Sequence, residues 1–408
     1  MKNSLKNINL QGQKVLLRVD FNVPLSADGK VLDSERLVRV LPTIRYLLER
    51  GTSIILMSHL GRPQKKLLPD GSIDIHRFSL RNLLPTLEEL LQQKIQFSAD
   101  CGGPESKIMA ADLRSGDILL LENTRFDKGE TKGDEQFAKS LADLGMVYIN
   151  DAFGTAHRAH ASTAVIAQYF DDEHKGIGLL IEEELTNARK VLREAQHPFV
   201  LIMGGAKISD KIPLIEHFLG KADHIIIGGG MAYTFIKAQG GQIGGSLVEE
   251  SYLELARSLL DKARKAHVGI WLPEDSVVAD NFDSAAQTKI VPSGQIDEGW
   301  MGLDIGPESS RTYSELLHSA RTILWNGPMG VFEMKPFQQG TLNVAKAIAK
   351  AIKAGAYSLI GGGDSASAIK QLNYGDQVSY ISTGGGAMLT LLEGNPMPGL
   401  TAISPELI

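Results

Sequence analysis

MVYINDAFGTAHRAHAST, residues 146–163, passes from four apolar residues into a compact basic loop. MVYI reads as a strand buried on both faces. His157, Arg158 and His160 then crowd into four positions just past Gly154 and Thr155. Such a loop is either a solvated turn or a holder of anions, and its partners decide which. Nine other short apolar runs accompany it. VLLRVD (15–20), TSIILMSHL (52–60) and DILLLEN (117–123) precede it. FVLIMGG (199–205), HIIIGGG (224–230), GIWLP (269–273), TILWNGP (322–328), YSLIGGG (357–363) and SYISTGGG (379–386) follow it. Helix-like stretches such as TIRYLLERG (43–51) and SYLELARSLLDKARKA (251–266) separate the runs. Continuous apolar runs alternating with amphipathic segments predict an α/β fold with parallel sheets.

The chain has 408 residues, more than one ordinary core accommodates, so two domains are expected. GLLIEEELTNARKVLREAQHP (178–198) is charged, has helical spacing and separates the two groups of runs. It reads as a connecting helix near a hinge, which places the boundary within about 180–198 and gives domains 1–185 and 186–391. Apolar residues make up 43% and charged residues 22%, the balance of a globular enzyme. A net charge of −6 argues against a generic nucleic-acid binder and still allows a local basic site. Cys101 is the single cysteine, so neither an internal disulfide nor a cysteine-based zinc site can form. The N-terminal MKNSLKNINLQGQKVLL lacks a signal-peptide core, and no apolar run reaches the ~18 residues of a membrane span. A cytoplasmic protein without membrane or nucleic-acid partners is expected.

Ligands of open parallel sheets bind beyond the carboxyl ends of the strands. In the first half those ends are basic. The first run leads through Arg18 and Asp20 to Asn22, the second to His59 and Arg62, and the third to Glu122, Asn123 and Arg125. The fourth leads to the opening loop, and Arg36 falls early in a helix between the first two. Gathered on one sheet edge, these residues predict a pocket for a small, multiply charged anion. Asp20 and Asn22 suit a hydroxyl of that ligand, although Asp20 suits the buttressing of Arg18 equally well.

In the second half the strand ends are glycine-rich: GGAKISDKI (204–212), GGGMAYTF (228–235), WNGPMGVFE (325–333), GGGDSASA (361–368) and STGGGA (382–387). Glycine turns entering helix N-termini suit phosphates. Lys207 and Lys211, four apart, would share a face if helical. Asp364 suits a magnesium ion bridging phosphates, and Glu333 a ribose hydroxyl. GGGDSA lacks the acidic residue a dinucleotide site needs about 20 positions on, and no Walker loop is present. A dinucleotide-dependent oxidoreductase would leave the arginines unexplained. A non-catalytic metabolite-binding protein would have no need of Arg36, Lys207 and Asp364 together.

RVDFNVP (18–24), SHLGRP (58–63), LENTRF (121–126), NDAFGTAHRAHAST (150–163), the glycine segments above, DIGPESS (304–310) and YISTGGGAMLTLLEG (380–394) resemble, in order, the signature series of the phosphoglycerate kinase family. The resemblance spans nearly the whole chain. It implies two Rossmann-like domains facing each other across a hinged cleft, with a C-terminal tail of about 392–408 packed back on the first. It also implies reversible transfer of a phosphoryl group between 1,3-bisphosphoglycerate and ADP; with domain closure the expected motion and no interface signature in the sequence, a monomer is expected. By the same resemblance, Asp20, Phe21, Asn22, Arg36, His59, Leu60, Gly61, Arg62, Arg125 and Arg158 bind phosphoglycerate, with Arg36 the chief catalytic arginine. Lys207 meets the transferred group and Lys211 the nucleotide phosphates. Gly229, Gly302, Asn326, Glu333, Gly362, Gly363, Asp364 and Ser365 complete a site for ATP or ADP, with Asp364 on Mg2+. Thr124 departs from the family pattern, where an apolar residue is expected, and residues 64–110 match less well. The acceptor is a carboxylate, ionised at neutral pH, so the reaction needs no general base.

Overall fold

The computed structural model describes residues 3–407 and divides into two compact units. One comprises Met1–Thr186 with Pro396–Ile408, the other Asn187–Asn395.

The first unit is built on six strands: β1 (Lys14–Arg18), β2 (Ser53–Met57), β3 (Gln96–Phe97), β4 (Ile118–Leu120), β5 (Val147–Asn150) and β6 (Lys175–Ile177). They pair in the order β3-β4-β2-β1-β5-β6, every pairing parallel. The central strands are buried on both faces, which is why they read as unbroken apolar runs. Val15, Leu17, Ile54, Leu56, Ile118, Leu120, Val147 and Ile149 all enter one core. Helix α1 (Glu35–Leu48) adds Leu37, Val40, Ile44 and Leu47, apolar positions at the spacing of one helical face. From β1 the chain extends the sheet in one direction through β2, then turns back to place β5 on the other side of β1. That reversal makes the gap beyond β1 and β5 the topological switch point, where ligands of such sheets bind. In register, Arg18 stands beside Met57 on one side and Asn150 on the other.

The second unit repeats the plan. Strands β7 (Phe199–Met203), β8 (His224–Ile227), β10 (Gly269–Trp271), β15 (Thr322–Asn326), β16 (Tyr357–Gly361) and β17 (Tyr380–Ile381) form a parallel sheet ordered β10-β8-β7-β15-β16-β17. Its switch point lies beyond β7 and β15. Trp325 is the largest fully buried side chain. Helix α2 (Leu179–Leu192) lies within the segment expected to connect the domains, and the division between the units falls inside it. Helices α3 (Ile212–Phe218), α4 (Gln339–Lys353) and α5 (Gly363–Gln371) follow β7, β15 and β16. No helix among the described residues is long and apolar enough to cross a membrane.

The expectation of parallel sheets alone is incomplete. β11 (Asp275–Ala279), β12 (Thr288–Pro292) and β14 (Met301–Ile305) form a three-stranded antiparallel sheet. β9 (Gln242–Ile243) and β13 (Gln295–Ile296) form a parallel pair of two residues each. The edge strand TKIVP has no buried residue, so it lacked the continuous apolar signature that marked the other strands.

Candidate functional site

Beyond β1 and β5 the basic strand ends converge. Arg36, second residue of α1, places Nη1 2.6 Å from Asp20 Oδ2. The Asn22 N–H donates to Asp20 Oδ1 at 3.3 Å, and His59 Nδ1 lies 3.8 Å from the same oxygen. Asp20 therefore serves Arg36, not Arg18. Arg18 is fully buried and turns elsewhere: Nε donates to Ser162 Oγ at 2.7 Å, and Nη2 lies 3.3 Å from His59 Nδ1 and 3.8 Å from Glu130 Oε1. Glu130, also fully buried, accepts the Ser162 hydroxyl at 2.6 Å and its N–H at 3.0 Å. Arg18 and Glu130 thus form a satisfied internal pair that pins the far end of the opening loop to β1.

The His59–Arg62 turn is fixed from three sides. Asn22 Oδ1 accepts the Gly61 N–H at 2.8 Å. Asn123 takes the Leu60 N–H at 3.2 Å and donates to the Leu60 carbonyl at 2.8 Å. Arg125 Nη1 donates to the Gly61 carbonyl at 2.6 Å. Gly61 has φ +62°, and a Cβ there would meet the Phe78 ring at 2.6 Å. Phe21 and Leu60 turn their side chains into the core. Arg62 is exposed, and Arg158 Nε donates to His157 Nε2 at 3.1 Å.

Electrostatics shows how tightly the cations crowd. Burial, then Arg125, Arg18, Arg36 and Arg158, pushes His59 well below the usual imidazole range. Burial and the same kind of guanidinium neighbours push His160 down to about 3, and burial and Arg158 lower His157. These histidines are neutral at pH 7. Burial, then Arg18 and Arg158, brings Arg125 down to about 10, while burial and Arg62 lower Arg158. Arg125 Nε, His157 Nδ1 and His160 Nδ1 are buried without hydrogen-bond partners among the described residues. A cluster of mutually repelling guanidinium groups with spare donors accommodates a multiply charged anion.

Beyond β7 and β15 the glycine segments interlace. The Gly204 N–H donates to the Asn326 carbonyl, and Gly205 N–H to that of Pro328, both at 2.9 Å. Gly229 N–H donates to Met329 O at 2.9 Å and Met231 N–H to Gly205 O at 3.1 Å. A Cβ on Gly327 would lie 2.2 Å from the Gly204 oxygen, and one on Gly229 2.6 Å from the Gly205 backbone. These glycines therefore serve first to let backbone cross backbone. Ser365 Oγ accepts the Gly327 N–H at 2.6 Å, and Asn326 Nδ2 donates to the Gly361 carbonyl at 2.7 Å. Lys211 Nζ hydrogen-bonds Asn326 Oδ1. Burial lowers the Lys211 ammonium, against the pull of Asp210, Asp364 and Glu393.

Lys207 and Lys211 do not share a helix: α3 begins at Ile212, with Lys211 as its N-cap and Lys207 exposed in the preceding turn. Proline at the second helical position and Gly204-Gly205 upstream hold that turn out of the helix. Gly362 (φ +90°) is the N-cap of α5 and has no capping side chain. Nothing lies within 4 Å of a Cβ built on Gly363. The first N–H groups of α5 can therefore receive a phosphate. Asp364, exposed in the first turn, offers one carboxylate beside them. No three potential ligands among the described residues form a preformed metal cage. One carboxylate plus ligand oxygens is the arrangement magnesium takes with phosphate substrates. Among the described residues, neither Gly302 nor Glu333 hydrogen-bonds to Lys211, Asn326 or Ser365. The Gly302 N–H donates to Ser246 Oγ at 2.9 Å, and Gly302 packs against Tyr233, where a Cβ would fall 1.8 Å from the hydroxyl. Glu333 is exposed in the loop after β15.

Glu130 and Ser162, which seat the basic loop, were not singled out in the sequence. Glu130 sits in DKGETKGDE, which has the composition of a solvated charged turn.

The family model described as phosphoglycerate kinase matches residues 5–395. A phosphoglycerate kinase of Chloroherpeton thalassium is 50% identical over 403 residues, and one of Clostridium botulinum 48% over 407, each covering 99% of both chains. Among solved structures, a phosphoglycerate kinase from Coxiella burnetii superposes with a TM-score of 0.88 at 38% identity, covering 99% of each chain. One from Pyrococcus horikoshii superposes with a TM-score of 0.81 at 31% identity and 98% coverage of each. With sheet order, strand-end chemistry and near-complete matches in agreement, this chain belongs to the phosphoglycerate kinase family.

Proposed function

We propose that the reaction of the family, phosphoryl transfer between 1,3-bisphosphoglycerate and ADP, is divided in this chain between the two switch points. The arginine cluster of the first unit binds the phosphoglycerate, and the glycine loops of the second bind the nucleotide. The observation that carries this reading is the convergence of Arg36, Arg62, Arg125 and Arg158 with neutral histidines at one sheet edge. Arg62, Arg125 and Arg158 bind the 3-phosphate end, with Asp20 and Asn22 toward the hydroxyl. Arg36, held by Asp20 beside them, faces the transferred group. Lys207 stabilises charge on that group, Lys211 binds nucleotide phosphates, and the N–H groups of Gly363 to Ser365 cradle them. Gly229, Gly302 and Asn326 shape the rest of the nucleotide site, and Glu333 takes a ribose hydroxyl. Asp364 would hold a magnesium ion carried by the nucleotide, which neutralises phosphate charge.

No proton needs to leave the acceptor carboxylate, so the residues act by positioning and charge stabilisation. A well-placed donor at such a transition state is worth roughly 3 kcal/mol. Direct transfer requires the two ligands to meet at the moment of reaction, so closure about a hinge belongs to the proposal. The protein works as a monomer in the cytoplasm. The test is a coupled assay with MgATP and 3-phosphoglycerate, the acyl phosphate being consumed by a dehydrogenase and NADH loss followed. Turnover should require both substrates, vanish with EDTA, and drop on the order of 10²-fold in a folded Arg36→Ala variant. Unchanged turnover in that variant would remove Arg36 from its role.

A further inference from the structure

The carboxyl end of β5 holds a second acidic residue that the anion cluster does not use. Asp151 and Thr43 are both fully buried, and they meet where α1, β5 and the N-terminus of α2 converge. The Thr43 hydroxyl donates to Asp151 Oδ2 at 2.5 Å, and its oxygen accepts the Leu179 N–H at 3.0 Å. Asp151 Oδ1 accepts the Ile181 N–H at 3.0 Å, and the Leu180 N–H also bonds this carboxylate. The first three N–H groups of α2 are thus capped in trans, by one residue from β5's end and one from the middle of α1. Gly178 permits the approach, since a Cβ there would lie 2.2 Å from Asp151 Cγ. Burial pushes the Asp151 carboxyl up to about 7, against the pull of Thr43 and the α2 N–H groups. A local serine or aspartate would cap the helix without burying a carboxyl group so deeply.

The two residues sit at the roots of the substrate-facing elements. Thr43 is seven residues from Arg36, two turns along α1 on the same face. Arg39, between them, pairs with Glu183 of α2 at 3.4 Å. Asp151 immediately precedes the loop that carries Arg158. The like charges of Arg36 and Arg158 disfavour close approach of α1 and that loop. We propose that Asp151 and Thr43 are positioning residues, which clamp α1 and the β5 loop to the start of α2 and so hold Arg36 and Arg158 at the spacing the phosphoglycerate requires. This rests on the assignment of those arginines to the phosphoglycerate.

The test compares Thr43→Val, which keeps shape and removes the hydroxyl, with Thr43→Ser, which keeps the hydroxyl. Binding of 3-phosphoglycerate and of MgADP is measured separately by calorimetry, alongside turnover and thermal midpoint. In Thr43→Val, the Kd for 3-phosphoglycerate should rise and kcat/KM should fall by about 5- to 20-fold. The Kd for MgADP should stay within about twofold, and Thr43→Ser should recover most of the loss. A lower thermal midpoint with wild-type phosphoglycerate binding and turnover at 25 °C would overturn the inference and leave an ordinary helix cap. If Thr43→Val does not fold, Asp151→Asn carries the same comparison, with the same overturning result. Arg36→Ala separates the two levels of argument. If it binds and turns over phosphoglycerate normally, the site assignment fails; if it is impaired while folded Thr43→Val is not, only the positioning role fails.

Discussion

Gly154→Ala adds a single methyl group, yet it tests the geometry of the phosphoglycerate site. The methyl would lie 2.4 Å from Asp20 Oδ2. A carbon and an oxygen in comfortable contact are about 3.4 Å apart, so something must give by about 1 Å. The turn cannot give easily: the Thr155 and Ala156 N–H groups bond Ala152 O and Phe153 O at 3.0 Å, and Phe153 is buried. The carboxylate must move instead, although its other oxygen accepts the Asn22 N–H. A shift of that size breaks the 2.6 Å contact with Arg36 Nη1, a charge-assisted bond worth about 1.5–3 kcal/mol. Arg36 loses its only ion-pair partner among the described residues, and misplacing a catalytic group by about 1 Å costs on the order of 10²-fold in rate. We expect kcat/KM for 3-phosphoglycerate to fall about 10- to 100-fold in the coupled assay. Global stability should fall by about 1–2 kcal/mol, because alanine's smaller unfolded-state entropy returns only about 0.4–1 kcal/mol of the lost contact. MgADP affinity should be unchanged. Wild-type turnover in folded Gly154→Ala protein would refute the claim that the Asp20–Arg36 contact sets the reactive geometry. The Asp20→Ala background sharpens the point. With the carboxylate gone the methyl meets no oxygen, so Gly154→Ala should add little there; full additivity would mean that the methyl acts elsewhere.

What could be read in the sequence follows from what each element buries. Strands such as SIILM and FVLIM are covered on both faces, so their unbroken apolar runs announced parallel sheets. Strand-end residues were legible as a group, because topology brings carboxyl ends to one edge whatever the intervening helices do. The partnerships inside the group were not. Asp20 stands two residues from Arg18 and sixteen from Arg36, yet it pairs with Arg36, because Arg18 turns inward to Glu130 and Ser162. Sequence proximity carries no information about which side of a strand end faces the core. Glu130 was hidden for the same reason: buried only by its tertiary contacts, it has the local surroundings of a surface residue. The glycines of the second unit were conspicuous but ambiguous. Gly204, Gly229 and Gly327 are needed where backbone crosses backbone, whereas Gly363 opens a free helix terminus, and the four look alike in a sequence.

Two further perturbations probe one unit each. Lys211→Ala removes the ammonium that bonds Asn326 at the second switch point. MgADP affinity should fall about tenfold, or about 1.4 kcal/mol, with phosphoglycerate binding unchanged, and calorimetry with the two ligands separately decides. His160→Gln probes the histidines through pH. His160 titrates near 6.5 in the unfolded chain, but burial and then Arg125, Arg18 and Arg158 depress it to about 3 in the folded one. The folded state therefore holds it neutral while the unfolded state takes up a proton. Its contribution is fully present above pH 6.5 and is lost as pH falls from 6.5 toward 3. Between pH 7 and pH 5 the wild type should lose about 1–2 kcal/mol more stability than His160→Gln, measured by urea unfolding of unliganded protein. The carboxylates and His59 titrate in both proteins and cancel in the difference. Parallel pH profiles would mean that His160 titrates alike in the folded and unfolded states, and that the cluster of arginines around it exerts less repulsion than their placement requires.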